Sequence, residues 1–537
     1  MTSPITETRP DTPLPPSHPG CRWRALLGRP SIKVALVSLY VIENTGARLL
    51  AAVLRNAGVQ VHEFYFKDWI TNRISPPEDS EVELLLNELV AVQPDIVGLS
   101  VRASAFHEIA TSLTVRIRER LGVPVLWGGM HASSCPEDAA RIADLVCVGE
   151  AEETLKTLIE KLGEGEDVSG IDGLWVHTPD GLKRNGAARL VADLDALPFP
   201  DYHSLDKVFV DRGRVIRNSD PCTGEPIYMV MGSRGCPFPS CTFCSNSIVD
   251  EMYPGQKYHR VRSVGHVLGE IRYAREHFTR LKRVRFDDEE FPVSSDWLDE
   301  FCRRWPQEIG LPFEIHMDPR VVTAERLAKL KAVGLDMVFM GIQHTEKINR
   351  DLYRRNVSDQ QVLDAAQAIH ASGVRAGYQV ILDDPVSTSD DKRALFDLIL
   401  QLPRPYEMVL FSLTVYPGSA LERELRKRGL IGDGDVEGKQ KKVFRQFRVD
   451  LSYPRATEDR FWTALNVLVS KSFVPKSLLR QIAGSRQLRL HPGPVTVLAY
   501  IANMAKLGWM GLGLLFRGEM SVAVVRRWLS FKSAVTY

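Results

Sequence analysis

At 537 residues the chain exceeds one ordinary domain, so two or three domains are expected. Basic and acidic residues nearly cancel, to a net charge of +1. That balance argues against a nucleic-acid partner, since phosphate binding needs a basic excess or stripe. Five of the eight cysteines (Cys21, Cys135, Cys147, Cys222 and Cys302) are scattered, which fits reduced thiols of a cytoplasmic protein better than a disulfide framework. Residues 1–30 open with a Pro/Ser/Thr-rich stretch that has no apolar core. It is expected to be a disordered tail and not a signal peptide.

Regular patterning starts near Ser31. Apolar runs over 32–39, 59–66, 95–101, 123–127 and 145–148 predict strands, separated by helical patterns such as 47–56 and 82–92. Strands alternating with helices imply a doubly wound parallel sheet over 31–165, with ligand loops at the strand C-terminal ends. Those ends carry Ser100, Gly128-Gly129-Met130-His131 and Gly149-Glu150-Ala151-Glu152. Small residues at three strand ends leave room for a flat ligand, although any one glycine is sufficiently explained as a turn. A single histidine in such a loop, like His131, is more often hydrogen-bonded or solvated than a ligand. Residues 166–222 are expected to be a linker of short strands and turns, including the Pro-rich stretch Leu197-Pro198-Phe199-Pro200.

A second strand–helix rhythm occupies 223–425. Its first strand, ending at Met231, leads into a loop with Cys236, Cys241 and Cys244, three thiols within nine residues. Three thiolates can hold three irons of a cubane cluster and leave the fourth open to a small molecule. A zinc knuckle would need a fourth ligand at matched spacing, and no Cys or His pair supplies one. Later strands over 283–286, 313–317, 337–341, 376–382 and 408–413 complete six βα steps, a partial parallel barrel with its site at the strand C-terminal ends. Those ends carry Asp287-Asp288-Glu289-Glu290, Arg320, Gln343-His344 and Asp383-Asp384-Pro385. Consecutive carboxylates there read either as a solvated turn or as an acceptor for an ammonium group.

The cysteine loop, ending Cys241-Thr242-Phe243-Cys244, resembles that of the radical S-adenosylmethionine superfamily. The resemblance implies a [4Fe-4S] cluster on Cys236, Cys241 and Cys244, with Phe243 beside the adenine of S-adenosylmethionine. It also implies Asp287 and Asp288 near the amino group, Arg320 near the carboxylate and Gln343 near the ribose. The first domain, with its Gly-Gly-x-His and Gly-Glu-x-Glu loops, is similar to the cobalamin-binding domain of one branch of that superfamily. This implies corrin contacts at Ser100, Gly128, Gly129, His131 and Gly149.

Three departures stand out. Four residues separate Cys236 from Cys241 where three are usual, no Asp-x-His-x-x-Gly motif offers a histidine to cobalt, and neutral Gln343 replaces the usual glutamate. The resemblance implies methyl transfer to an unactivated carbon of a secondary-metabolite or lipid-like substrate, with electrons from a flavodoxin- or ferredoxin-type donor. A cobalamin-dependent rearrangement or oxidative cyclisation, and a non-catalytic corrinoid-binding protein with a degenerate barrel, remain alternatives. Residues 426–537 are expected to form a helical C-terminal domain. The apolar stretch 495–516, interrupted by glycines and Lys506, reads as a docked helix pair or as a peripheral membrane element flanked by Arg517, Arg526 and Arg527.

Overall fold

The computed structural model describes residues 19–67, 76–432 and 455–516. Residues 1–18, most of the expected tail, lie outside that set, as do Arg517, Arg526 and Arg527. Strands β1 (Lys33–Leu39), β2 (Gln60–Phe66), β3 (Ile96–Ser100), β4 (Val125–Gly128) and β5 (Leu145–Cys147) form in the expected order. They pair in parallel in the sequence β5-β4-β3-β1-β2. Six of the seven β1 residues are buried, as a strand covered on both faces requires.

The expected linker departs from a plain connection. Its strands β6 (Leu174–Thr178) and β7 (Gly181–Arg184) extend the β5 edge, while β8 (Lys207–Asp211) and β9 (Arg214–Arg217) extend the β2 edge, making nine strands in all. Strand edges left bare expose unpaired backbone groups, and pairing both edges removes that exposure from five short strands.

Strand β10 (Ile227–Val230) opens the second unit. The two-residue strands β11 (Ser233–Arg234) and β12 (Arg260–Val261) form a small antiparallel pair beside it. β10 then joins β13 (Arg283–Phe286), β14 (Phe313–Met317), β15 (Leu335–Gln343), β16 (Arg375–Leu382) and β17 (Glu407–Ser412) in sequential parallel order, the six-step partial barrel. Phe286, Phe301, Trp305 and Phe313 pack with ring centroids 4.9–6.0 Å apart between sheet and helix. Helices Thr457–Val469, Lys476–Gly484, Arg486–Leu490 and Gly493–Phe516 pack beyond β17.

Arg48, on helix Thr45–Asn56 of the first unit, is fully buried against the segment entering β10. Its guanidinium forks onto both oxygens of Asp220, donates to the Asp201 and Ile42 carbonyls, and lies between the rings of Tyr65 and Tyr202 at 4.7 and 4.5 Å. Buried Lys207 donates to the same Asp220 at 2.7 Å. Burial alone would raise the Asp220 pKa, but Arg48 and Lys207 outweigh it and hold the carboxyl below its usual range. Asp220→Asn therefore leaves two buried cations facing a neutral amide, and should cost roughly 3–5 kcal/mol in urea unfolding. In the parent chain this contribution is present above the unfolded carboxyl value of about 3.9 and is lost as pH falls through the lower folded value. Stability–pH curves of the variant should lack that acid-side loss.

Candidate active site at the barrel mouth

The cysteine loop starts with two turns of backbone fixed from outside. Asp288 accepts from Gly232 N at 3.0 Å and from Ser233 Oγ at 2.6 Å. Gly235 follows with φ +81°, where an added Cβ would lie 2.6 Å from the Tyr258 carbonyl. Between the second and third cysteines, Thr242 donates its N–H to Tyr353 O and its hydroxyl to Leu352 O, tying the loop to the segment beyond β15. Phe243 packs edge-on against Tyr353, centroids 4.9 Å apart.

All three sulfurs are partly buried, and two already accept hydrogen bonds: Cys236 Sγ from Phe238 N and Cys244 Sγ from Asn246 Nδ2, each at 3.3 Å. Burial, with the Glu289 charge added, pushes the Cys236 and Cys244 thiols up to about 12. Such groups ionise at neutral pH only against a metal cation, as in cluster ligation. Three thiols on one loop, with N–H donors aimed at two sulfurs, fit the donor set of a [4Fe-4S] cluster.

The four carboxylates after β13 alternate in exposure. Asp287 and Glu289 are exposed while Asp288 and Glu290 are buried. Burial raises Asp288 to about 7, against the hydrogen bonds from Ser233 and Gly232. Its oxygens thus hold the cysteine loop, a positioning role. Glu290 accepts from Asp318 N at 2.7 Å. Glu289, which no sequence motif distinguishes from its three neighbours, faces the mouth: its charge acts on Cys236, Cys244, Tyr258 and Tyr416. Arg102, two residues beyond β3, acts on Glu43, Glu289 and Tyr416 alike, so both units contribute to one cleft.

Arg320 forks onto Asp318 at 2.7 and 3.0 Å and lies over the Phe238 ring, 3.6 Å from its centroid. It sits beside the cysteine loop, with its donors partly engaged. Arg355, absent from the sequence-based candidates, bridges Asp318 Oδ2 and the Gly341 and Ile342 carbonyls. Burial raises the Cys241 thiol, and Arg355 and Arg320 oppose it. Gln343 ends β15 at φ +64°, its side chain folded so close to Gly341 that a Cβ there would lie 2.5 Å from Nε2. Asp383 is held by Ser412 and Arg455, and Asp384 accepts from Val386 and Ser387 backbone N–H groups, so both brace the loop after β16. His344 lies buried next to Asp384, and burial pushes its imidazole down to about 4.

Across the cleft, Ser100 and Gly128 are register partners on β3 and β4, and Asn44 Nδ2 donates to both Ser38 and Ser100. Gly129 adopts φ +96°, where a Cβ would press on the Val101 carbonyl at 3.0 Å. Gly149 also lies against the second unit: an added Cβ would overlap Tyr253 Oη, in the residue that ends the helix following Cys244. That hydroxyl accepts from Glu150 N at 2.8 Å. Glu150 and Glu152 then pair with Arg234, four residues beyond β10, and Glu150 also takes a fork from Arg260 at 2.6 and 3.0 Å. The Gly-Glu-x-Glu loop therefore grips the base of the cysteine loop. His131 is buried within its own unit, with Nδ1 2.9 Å from Ser104 Oγ and its ring edge-on to His107.

The B12 binding domain model matches residues 32–159 and the Radical SAM superfamily model residues 230–399. The chain is a B12-binding radical SAM protein. It is 28% identical over 389 residues to "Uncharacterized methyltransferase PH0819" of Pyrococcus horikoshii, covering 71% of this chain and 79% of that protein. It is 24% identical over 392 residues to "Hopanoid C-3 methylase" of Methylococcus capsulatus, covering 70% and 68% of the two chains. The solved structure of the cobalamin-dependent S-adenosylmethionine radical enzyme OxsB, with aqua-cobalamin and S-adenosylmethionine bound, superposes with a TM-score of 0.62. That superposition covers 94% of this chain and 85% of the other at 17% identity, a likeness of fold.

Gly149→Ala tests the grip between the units. A positive φ and overlap with Tyr253 Oη should together cost about 1–3 kcal/mol in denaturant unfolding. Adding Tyr253→Phe should recover part of the loss, since the hydroxyl is the closest atom. A neutral Gly149→Ala would show that the contact does not hold the units together.

Proposed function

We propose that this protein is a cobalamin-dependent radical S-adenosylmethionine methyltransferase acting on an unactivated carbon of an apolar, lipid-like substrate. The observation that carries this reading is the joining of the cysteine loop to the glycine-rich edge of the first sheet through Arg234, Arg260 and Tyr253. Bound there, a [4Fe-4S] cluster with S-adenosylmethionine would supply a hydrogen-abstracting radical, and a corrin would supply the methyl group. Cys236, Cys241 and Cys244 would ligate the cluster, with Phe243, Asp287, Arg320 and Gln343 as the nearby candidates for S-adenosylmethionine. Ser100, Gly128 and Gly129 would border the corrin. Asp288 holds the loop, and Glu289 and Arg102 set the charge of the cleft. A flavodoxin- or ferredoxin-type donor would provide the reducing electron.

Anaerobic reconstitution should give three or more irons per chain and, under reduction, 5′-deoxyadenosine from S-adenosylmethionine. Cys241→Ala should reduce that cleavage at least about a hundredfold while corrin binding persists. Product heavier than substrate by one methylene group supports methyl transfer; unchanged mass would favour rearrangement, and absent cleavage would favour the non-catalytic reading.

The C-terminal helices support an apolar substrate drawn from a membrane surface. Among the described residues, eleven of the seventeen exposed large hydrophobics lie between Phe473 and Phe516, with Trp509 80% and Phe516 89% exposed. Residues 471–516 contain no Asp or Glu but six Lys and Arg, of which Lys471 is buried and Arg480 and Arg486 are exposed. Helix Gly493–Phe516 is long and apolar enough to span a bilayer, yet Ala499, Ala502 and Asn503 are buried against the body of the protein. A helix docked along one side rests on a bilayer and does not cross it, and the basic charge suits anionic lipid. The protein should sediment with phosphatidylglycerol vesicles and weakly with phosphatidylcholine vesicles. Ile501→Glu with Trp509→Glu should release it at least about tenfold while iron content is unchanged. Equal binding of parent and variant would remove the membrane from the reading.

A further inference from the structure

The first unit carries a cluster of ligating side chains that the cofactor reading does not use. His107 opens the helix that follows β3, His131 lies in the short helix Met130–Ser134 after β4, and Asp138 belongs to the next one, Pro136–Ala140. Their ligand atoms lie within 4.8 Å of one another. Asp138 Oδ2 is 3.1 Å from His107 Nε2 and 3.4 Å from His131 Nε2. Ligands bound tetrahedrally to zinc at about 2.0–2.1 Å are separated from each other by about 3.3 Å, so both measured edges match that polyhedron.

The surroundings favour the same chemistry. His131 is 3% exposed, and its Nε2 is buried without a well-formed hydrogen bond. His131 Nδ1 lies 2.9 Å from Ser104 Oγ, and in the tautomer that donates there Nε2 carries a lone pair toward Asp138, 3.4 Å away. A hydrogen bond on the far ring nitrogen is the usual support of a metal-bound imidazole. The Trp127 ring walls one side, 5.8 Å from the His107 ring and 6.2 Å from that of His131. His107 and Asp138 side chains are 27% and 41% exposed, leaving a path from solvent and room for a water as fourth ligand.

We propose that His107, His131 and Asp138 bind one Zn²⁺. The ion joins the helices that follow β3 and β4, strands that end at Ser100 and Gly128, and so stiffens the corrin-facing edge from behind. It is separate from the cysteine loop, and no step of the proposed reaction passes through it.

The test uses cluster-reconstituted, cobalamin-loaded protein equilibrated with buffered Zn²⁺. Metal analysis should find one zinc per chain in addition to cluster iron, and the zinc X-ray absorption edge should show nitrogen and oxygen neighbours only. His107→Gln and Asp138→Asn, both at partly exposed positions, should each weaken zinc binding at least about tenfold. Zinc should raise the Tm of the parent and not of the variants. Sulfur neighbours at the edge would place the zinc on the cysteines and overturn the proposal. So would absence of zinc, or equal zinc in parent and variants. The absorption measurement on the parent decides the matter even if a variant fails to fold.

Discussion

The site depends on one electrostatic joint. Glu150 and Glu152 leave the first sheet just after β5 and receive Arg234 and Arg260, which flank the cysteine loop on the small β11–β12 ribbon. Arg260 is 5% exposed on its side chain and Glu150 17%, so the pair is mostly removed from water and held by forked, charge-assisted bonds. Burial would raise the Glu150 pKa, but Arg260 and Arg234 outweigh it and keep the carboxylate charged. A buried pair of this kind contributes little net stability over an apolar contact but fixes one geometry strongly, because either partner alone is costly. That suits a joint that keeps the edge of the first sheet and the cysteine loop in register.

The Arg48–Asp220–Lys207 cluster does for the chain crossover what that joint does for the loops. It anchors the end of the linker to the first helix, just before β10 begins. With both anchors set, the path between Asp220 and Arg234 has little freedom. The cysteine loop is further fixed by Asp288 from the neighbouring strand and by the Leu352 and Tyr353 carbonyls from beyond β15. Two segments of the barrel, after β13 and beyond β15, and one unit outside it thus constrain a loop that has no regular structure of its own. Preorganisation of this sort places side chains before any cofactor arrives.

Alternation explains how four adjacent carboxylates divide the work. Asp288 and Glu290 turn inward and accept backbone hydrogen bonds from adjoining loops, whereas Asp287 and Glu289 turn to the mouth. Glu289 and Arg102 then place opposite charges from the two units on one cleft, and Arg355 and Arg320 set cations beside Cys241. The same stretch therefore supplies both the support of the site and part of its field.

Much of this was legible in residue order. The two strand–helix rhythms, the parallel sheets they form and the three clustered thiols follow from periodicity and spacing, which are local properties of the chain. The apolar, acid-free character of 471–516 is likewise visible in composition. Other assignments depended on which residues meet across long sequence separations. Gly149 and Glu150 appear as ligand-loop residues in isolation, and only the arrival of Tyr253 and Arg260, more than a hundred positions later, makes them an interface. Asp288 and Glu289 are alike as symbols, and only the folded path of the chain after β13 turns one inward and the other outward. His107, His131 and Asp138 lie on separate elements with no motif spacing, so their convergence is a property of packing alone. Sequence determined the elements and their chemistry, because hydrophobic period and side-chain type act locally. The tertiary structure decided the roles, because charge pairing, ligation and steric approach act through space.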